Sequence, residues 1–379
     1  MVREPSPGKR ALSLAGVCVA LSALLAACSS GATAAPSPSQ NPSVAPASAS
    51  AASESAPASA TPVPSAASTP VKVALVATQA PGDKGPIDDM IAFLAKAKAD
   101  SNLDTKFIYA QDPASYEATL RNLANSGTNI IATTFNEMSK PIAAVAKDFP
   151  NVKFIQIYGD PLDPPMANVR TVSYDYYIGS YLAGLAAATV SKTGKLGYIG
   201  GQSIPSINID VNSFIAAAKA TKPSTTVQSA FVGSFQDPTK EHSLASAMYA
   251  NGVDFIMTDA AASDLGAVQA AKEKKGFVIG GAEAVESAGP TTVAGIVILR
   301  FGQSLYDQLK DALSPSFQGG HVKSGLKDNI VDFLVSPQFV SQGPADIMAA
   351  LQGVMPAVTK AKQDIISGAL VVPADTNAP

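Results

Sequence analysis

Residues 179–201, which read GSYLAGLAAATVSKTGKLGYIGG, constrain the fold more than any other stretch of the chain. Their first half is a Pro-free run of small and apolar residues, which predicts a buried helix, and Gly184 within it predicts that a second element packs closely. Residues 191–195 end the helix, and residues 196–201 predict a short apolar strand. A helix that leads into a buried strand is half of a βαβ unit, so this stretch favours a parallel sheet covered by helices.

Strands and helices alternate on both sides of this stretch. In the first half, strands are predicted at 71–77, 105–110, 128–133, 152–158 and 169–174, and helices at 87–99, 114–125 and 139–148. In the second half, strands are predicted at 195–199, 227–232, 255–258 and 277–281, and helices at 212–220, 242–250 and 265–274. The remaining elements are a strand at 292–298, a helix at 300–313, a loop at 314–328, a strand at 330–335 and a helix at 344–368. Two such series predict an α/β fold with two lobes, each built on a mostly parallel sheet.

The amino terminus has the pattern of a secretory signal. Lys9 and Arg10 precede an apolar run at 11–27, which is too short to span a bilayer. The run ends in Leu-Ala-Ala-Cys, which resembles the bacterial lipobox, so we expect residues 1–27 to be a signal peptide and Cys28 to be lipidated. The alternative is an ordinary signal peptide with a chance cysteine. Cys18 lies in the segment that would be removed, so no internal disulfide is expected.

Residues 28–70 predict a tether between the lipid and the folded part. The segment is almost wholly Ala, Ser, Pro and Thr, and Glu54 is its only charge. Such a composition buries too little apolar surface to offset the entropy of ordering, so we expect the tether to be disordered and the folded part to begin near Val71.

Charge and composition exclude several function classes. The net charge is −3 at pH 7, which gives nucleic acid no basic surface to bind. With two His residues and no Cys pair in the mature chain, neither a metal site nor a cofactor is expected. Residues 201–205 fail the G-x-S-x-G pattern at Pro205, and Leu196 stands where a P-loop has Ser or Thr. No catalytic residue is therefore predicted, and we do not expect an enzyme.

Four motifs carry a resemblance to a known family. They are YLAG with SKTGKLGYIGG in the central stretch, GSFQDPTK at 233–240, AKEKKGFVIGG at 271–281 and DIISGALVVP at 364–373. In this order and spacing they resemble the basic membrane lipoprotein family of solute-binding proteins, whose members serve ABC importers and include nucleoside receptors. The resemblance implies a type I periplasmic-binding-protein fold, in which two Rossmann-like lobes close on a ligand held in the cleft between them.

The resemblance also implies the domain bounds. We expect the first lobe to comprise residues 71–174 and 296–322, and the second lobe to comprise residues 175–295 and 323–373, with a tail at 374–379.

The family's ligand positions are only partly retained. Its nucleoside receptors have an Asp-Lys-Ser-Phe-Asn-like turn after the first strand, where this chain has Asp83 and Lys84 followed by Gly-Pro-Ile. The family's Ile-Gly-Val-Asp, whose Asp holds a ribose hydroxyl, reads Ile-Gly-Gly-Ala at 279–282, with Glu283 one position further on. These departures leave open whether the ligand is a nucleoside, a free base or another small polar solute.

Candidate ligand-binding residues follow predicted strands or open predicted helices, where a cleft would lie. In the first lobe and at the crossing between the lobes they are Asp83, Lys84, Phe135, Asn136, Tyr174, Asp175 and Tyr176. In the second lobe they are Asp210, Asn212, Phe235, Asp259 and Glu283. The alternatives are a solvated turn at Asp83 and hinge packing of the tyrosines, while Asp237 is predicted to be an N-cap rather than a ligand contact.

The expected function is that of an extracytoplasmic solute-binding lipoprotein of a bacterial ABC importer. The ligand expected from the resemblance is a small polar solute, with a nucleoside or nucleobase favoured. The expected partners are the ABC permease and ATPase subunits and the membrane that holds the lipid anchor, and the protein is expected to be a monomer. The alternatives are a ligand-sensing lipoprotein without a transport role and a receptor for a non-nucleoside solute.

Overall fold

The computed structural model describes residues 69–82, 85–281 and 283–379, except for the side chains of 283 and 284. The predicted signal peptide, Cys28 and most of the predicted tether lie outside this part of the chain, as do Asp83 and Lys84.

The chain up to the central stretch builds one series of alternating elements. They are β1 (Val71–Ala77), α1 (Pro86–Asp100), β2 (Leu103–Tyr109), α2 (Tyr116–Asn125), β3 (Ile130–Thr134), α3 (Ser139–Ala146), β4 (Lys153–Ile157) and β5 (Val169–Tyr174).

A second series follows directly. It consists of α4 (Tyr176–Val190), β6 (Lys195–Gly200), α5 (Pro205–Thr221), β7 (Thr226–Phe231), α6 (Pro238–Ala250), β8 (Phe255–Asp259), α7 (Leu265–Lys274), β9 (Phe277–Gly280), α8 (Glu283–Ala288) and β10 (Val293–Leu299). The chain ends with α9 (Phe301–Leu313), β11 (Gly320–Ser324), β12 (Val331–Val335), α10 (Pro337–Gln342) and α11 (Ala345–Ser367).

Within the described residues these strands form two six-stranded sheets, one in each lobe. The order is β11-β5-β4-β3-β1-β2 in the first sheet and β12-β10-β9-β8-β6-β7 in the second. Every pairing is parallel except that of β10 with β12, as expected for strands joined by helical crossovers. The predicted α/β fold with two Rossmann-like lobes is therefore confirmed.

The chain passes between the sheets after Tyr174, after Leu299 and after Ser324. The whole of β10 pairs within the second sheet, and the whole of β11 pairs with β5 in the first. The lobe bounds predicted at 296 and 322 thus fall inside strands, because sequence alone does not indicate which sheet a late strand joins.

The central stretch forms the predicted helix and strand, and α4 is buried on nearly all sides. A β-carbon at Gly184 would collide with the backbone carbonyl oxygen of Phe214 on α5. Only a residue without a side chain allows this approach, so α4 and α5 share a tightly packed core with Tyr198 of β6.

The turn that resembles a P-loop is occupied by a side chain of the protein itself. Asp254 accepts from the amides of Lys192 at 2.8 Å and Thr193 at 3.1 Å, and from Ser191 Oγ at 2.7 Å. The backbone amides of Lys192 and Thr193, which could otherwise bind an anion, therefore bind Asp254 and join the end of α4 to the segment before β8.

Three boundaries differ from the prediction. Helix α5 begins at Pro205 rather than at 212, because Pro is well suited to the first turn of a helix. Helix α6 begins at Pro238, and the N-cap prediction for Asp237 is confirmed, since its Oδ1 accepts from Lys240 N at 2.9 Å. The predicted loop at 314–328 contains β11, an edge strand whose partial exposure tolerates the polar sequence GHVKS.

Among the described residues, no helix is both long and apolar enough to cross a bilayer.

Candidate functional site

Four aromatic rings meet at the carboxyl ends of the first-lobe strands. Phe135 follows β3, Tyr158 follows β4, Tyr174 ends β5 and Phe301 begins α9. The centroid of the Tyr158 ring lies 5.7 Å from that of Tyr174, 5.9 Å from that of Phe135 and 6.0 Å from that of Phe301. These are the spacings of favourable tilted and edge contacts. We call these four rings the aromatic wall.

Buried polar contacts hold the wall in a strained backbone conformation. Phe135 and Tyr158 both have a φ of 59°, which side-chain-bearing residues seldom adopt. Gln156, which is fully buried, donates from Nε2 to the Phe135 carbonyl oxygen at 2.6 Å and to Ser139 Oγ at 2.8 Å. Tyr174 is fixed by a 2.7 Å hydrogen bond between its hydroxyl and Ser304 Oγ. Strain of this kind is found mainly at functional sites.

Two carboxyl groups lie at the carboxyl ends of the second-lobe strands. Asp210 is on α5, Asp259 ends β8, and their side chains share a hydrogen bond. Burial raises the pKa of both, that of Asp259 to about 6 and that of Asp210 further, because the charge of Asp259 opposes a second ionisation. Tyr198 Oη donates to Asp259 Oδ2 at 3.3 Å. We call Asp210 and Asp259 the acid pair, and at neutral pH Asp259 is its ionised member.

The aromatic wall and the acid pair face each other across the two lobes. Burial and then the nearby charges of Asp210 and Asp259 raise the pKa of Tyr158, although Tyr158 belongs to the first lobe. Burial and then the same carboxyl groups raise the pKa of Tyr176, which is partly buried at the start of α4. The Tyr176 hydroxyl lies so close to Gly281 that a β-carbon there would be 2.7 Å from it. Aromatic faces, hydroxyl groups and carboxyl groups therefore converge on one buried site.

Two further carboxyl groups belong to the same cluster. Asp264, which is 3% exposed, accepts from Ala260 N at 2.8 Å, and burial followed by the charge of Asp259 raises its pKa. Glu241 on α6 is 0% exposed, and neither of its carboxyl oxygens has a hydrogen-bond partner among the described residues. Burial raises the pKa of Glu241 to about 9, so the group is neutral at pH 7.

The structure brings five of the predicted residues together at this site. They are Phe135, Tyr174, Tyr176, Asp210 and Asp259. Phe235 lies at the edge of the second lobe, with its ring against the backbone of Gly201 just beyond β6.

Three predicted ligand residues are engaged elsewhere. Asn136 exchanges hydrogen bonds with Asp160, its Nδ2 donating to Asp160 Oδ2 at 2.8 Å and its Oδ1 accepting from Asp160 N at 2.8 Å. Asp175 forms an ion pair with Lys323 of β11 at 2.5 Å. Asn212 lies within α5 and donates to the carbonyl oxygens of Asp375 and Asn377, both at 2.9 Å. These partners show roles in joining loops, lobes and the carboxyl terminus.

The other predicted residues are outside what the structure describes. Asp83 and Lys84 fall in the gap after β1, and Glu283 begins α8 with a side chain that is not described.

Sequence reasoning did not single out several residues of the site. Tyr158 is the last residue of the predicted strand VKFIQIY, so a search for side chains at strand ends would have found it. Phe301 comes shortly after Leu299, where the chain crosses between the lobes, and the same search would have found it. Nothing in the sequence PTKEHS distinguishes Glu241 from an exposed helical glutamate, and the polar segment ASD gives Asp264 no signal either.

His321 lies on the edge strand β11 of the first sheet. Its Nδ1 and Nε2 atoms are bonded to the hydroxyl groups of Thr171 at 2.8 Å and Ser173 at 2.9 Å. In a Ser-His-Asp arrangement a carboxylate orients the ring, and here a threonine hydroxyl occupies that position.

Comparison with known proteins agrees with this architecture. A family model described as ABC transporter substrate-binding protein, PnrA-like, matches residues 70–364. The chain is 30% identical over 270 residues to a purine-binding protein of Brucella abortus (strain 2308), covering 70% of this chain and 75% of that protein. It is 29% identical over 233 residues to basic membrane protein A2 of Borrelia garinii subsp. bavariensis, covering 60% of this chain and 68% of that protein.

Solved structures share the fold. A solute-binding protein of an ABC transporter system from Aeropyrum pernix K1 superposes with a TM-score of 0.66 at 22% identity, covering 81% of this chain and 94% of that one. Another from Conexibacter woesei DSM 14684 superposes with a TM-score of 0.66 at 23% identity, covering 80% of this chain and 99% of that one. Since the family model spans nearly all of both lobes and the motifs agree with it, the chain belongs to the PnrA-like family of ABC transporter substrate-binding proteins.

Proposed function

We propose that this protein is the extracytoplasmic receptor of an ABC importer and that it captures a nucleoside or nucleobase between its two lobes. The observation that carries the proposal is the aromatic wall of the first lobe facing the acid pair of the second. A flat heterocycle stacks on aromatic faces, while carboxyl and tyrosine hydroxyl groups bond its ring edge or ribose. The purine-binding relative supports the same ligand class.

Closure of the lobes supplies the means of capture. The site takes its rings from the first lobe and its carboxyl groups from the second, so a ligand completes its contacts only when both lobes close on it. Asp83, Lys84, Phe235 and Glu283 remain predicted ligand contacts.

The ligand class can be tested by thermal shift, in which the Tm of the purified protein is measured with a panel of purine and pyrimidine nucleosides and bases. A ligand at a hundredfold excess over its Kd stabilises the folded form by about 2.7 kcal/mol, which such an experiment detects readily. We expect at least one member of the panel to raise the Tm. If the whole panel is silent while an unrelated solute raises the Tm, the nucleoside proposal is wrong.

Two variants connect the binding to the wall. Tyr158→Ala should weaken binding at least tenfold in calorimetric titration, because it removes the ring that touches the other three. Tyr109→Ala is the matched control, since Tyr109 ends the edge strand β2 and is 39% exposed. Equal loss in the two variants would show that the wall is not the binding surface.

We further propose that Cys28 carries the lipid anchor, that the permease and ATPase of an importer are the partners, and that the protein is a monomer. Cys28→Ala should leave a folded protein that no longer partitions into the detergent phase. Unchanged partition of this variant would rule out lipidation at Cys28. Size-exclusion chromatography with light scattering tests the monomeric state.

A further inference from the structure

The carboxyl cluster of the second lobe lacks a basic partner within the described residues. Asp210, Asp264 and Glu241 are buried, Asp259 is partly buried at the end of β8, and none of the ion pairs of the described residues includes any of them. Burial raises the pKa of all four groups, that of Glu241 to about 9 but that of Asp259 only to about 6, so at neutral pH Asp259 carries negative charge. A buried charge without a counter-charge is costly, so the closed form favours a ligand that supplies one.

The donors around Asp259 compensate its charge only weakly. Asp210 shares its proton with Asp259, and the Tyr198 hydroxyl donates at 3.3 Å, which is long for a bond between oxygen atoms. Glu241 indicates independently that the carboxyl oxygens of the cluster lack hydrogen-bond donors, because both of its oxygens are buried without a hydrogen bond among the described residues. The cluster therefore has acceptors in excess of donors.

The facing lobe provides the complementary surface for a planar cation. After burial, the charges of Asp210 and Asp259 contribute most to raising the pKa of Tyr158, so the ring of Tyr158 lies near the acid pair. The other three rings of the wall adjoin Tyr158. A cation over an aromatic face gains electrostatic attraction, which increases when water is excluded. A flat ring that carries positive charge would stack on the aromatic wall and compensate the negative charge of the acid pair at the same time.

We propose, as a refinement that rests on the proposed function, that the ligand is a nucleoside or base with a cationic heterocycle, whose charged N–H edge binds the Asp210 and Asp259 carboxyl groups while its ring lies against the aromatic wall. The cation binds the ionised form of Asp259, so below about pH 6 its binding displaces the proton of Asp259, which passes to the buffer.

Isomeric methylated nucleosides separate charge from size. At pH 7, 1-methyladenosine is a cation and N6-methyladenosine is neutral, and 3-methylcytidine and N4-methylcytidine form a second such pair. We expect calorimetric titration to give a Kd at least tenfold lower for the cation in at least one pair. Neutral isomers that bind as well as or better than the cations would overturn this inference and leave the proposed function intact. If all four are silent and a neutral non-nucleoside solute binds, both proposals fail.

Variants assign the preference to the acid pair. Asp259→Asn removes the negative charge and should reduce the preference for the cation to about twofold or less, and circular dichroism checks that the variant folds. Asp237→Asn is the control, since Asp237 caps α6 in the same lobe and Asn keeps a capping oxygen. A tenfold preference that persists in Asp259→Asn would contradict the assignment.

The pH dependence gives a second readout. Tyr158 from the first lobe, Tyr176 from α4, Tyr198 from β6, Asp264 before α7 and Glu241 from α6 face the pair, and burial raises the pKa of all five. The pKa of Asp259 is about 6, so its ionised fraction falls about tenfold from pH 7 to pH 5, and the cation should bind about tenfold more weakly at pH 5. At pH 5, titrations in two buffers of different ionisation enthalpy should show that binding releases about one proton. Binding without proton release at pH 5 and without this pH dependence would contradict binding of the cation to ionised Asp259.

Discussion

The side-chain amide of Gln156 donates to the carbonyl oxygen of Phe135 at 2.6 Å, and this contact joins the end of β3 to β4 directly beneath the aromatic wall. Phe135 has a positive φ, so its carbonyl group points away from the normal strand direction and needs a partner from outside the backbone ladder. The buried amide of Gln156 supplies that partner.

Substitution of Gln156 by Ala should therefore destabilise both the lobe and the site. We expect the free energy of unfolding to fall by about 2 to 4 kcal/mol, because a buried cavity forms and the Phe135 carbonyl loses the shorter of its two hydrogen bonds and keeps only the one from Met138 N at 3.2 Å. The affinity for the nucleoside found by the thermal-shift panel should fall with it, since the wall is no longer held. Gln303→Ala, which removes an exposed amide on α9, should change stability by less than about 0.5 kcal/mol in the same urea titration. Equal effects of the two substitutions would contradict the role given to Gln156.

The close approach of α4 and α5 depends on Gly184. Gly184→Ala should lower the free energy of unfolding by about 1 to 3 kcal/mol, because the new methyl group would overlap the Phe214 carbonyl oxygen and force the helices apart. Gly353→Ala is the matched control, since nothing lies within 4 Å of the β-carbon it would add on α11. Alanine favours a helix, so the control should stabilise the protein by about 0.5 to 1 kcal/mol. The same sign for both substitutions in urea unfolding would contradict this packing argument.

The buried carboxyl group of Glu241 should make stability fall as pH rises. Its pKa is raised from 4.5 to about 9 in the folded protein, so the folded form binds a proton that the unfolded form loses between these values. The stabilisation is complete below pH 4.5 and is lost as pH rises to about 9. Glu241→Gln cannot titrate, so relative to the wild type its free energy of unfolding should rise by about 1 kcal/mol per pH unit between pH 5 and 8.

The exposed Glu273 provides the control for this pH dependence. Hydrogen bonds from Gln269 and His242 lower the pKa of Glu273, so it stays ionised across the range from pH 5 to 8. Glu273→Gln should leave the slope of stability against pH unchanged. A parallel displacement of the Glu241→Gln curve, with no change of slope, would show that Glu241 does not titrate as described.

The carboxyl-terminal residues, predicted as a tail at 374–379, act as a strap on α5. Asn208 Nδ2, which belongs to a residue 5% exposed, donates to Thr376 O at 3.1 Å, and Asn212 donates to the carbonyl oxygens on either side. Truncation after Pro373 should lower the free energy of unfolding by about 1 to 3 kcal/mol, because buried amide donors lose their acceptors. Removal of only Ala378 and Pro379 leaves these three carbonyl groups in place and should have no effect in thermal unfolding. An unchanged Tm after the longer truncation would contradict the strap.

Much of the fold can be predicted from local sequence. The alternation of strand and helix, the buried central helix and the N-cap at Asp237 depend on residues within a few positions of one another, so each is already encoded in a short window. The rule that ligands bind at the carboxyl ends of parallel strands also predicts Phe135, Tyr174, Asp210 and Asp259 as parts of one site.

The tertiary structure decided the remaining features, because they depend on residues far apart in the chain. Glu241 belongs to a polar helix start in the sequence, yet α7 packs so closely at Gly266, where a β-carbon would collide with the Pro238 carbonyl oxygen, that the Glu241 side chain is fully buried. Tyr158 follows a strand of the first sheet and Asp210 lies on α5 of the second lobe, and only the folded structure buries Asp210, partly buries Tyr158 and raises the pKa of each. Burial and electrostatic coupling are properties of the packed molecule, since desolvation depends on every element that surrounds a group rather than on its neighbours in sequence.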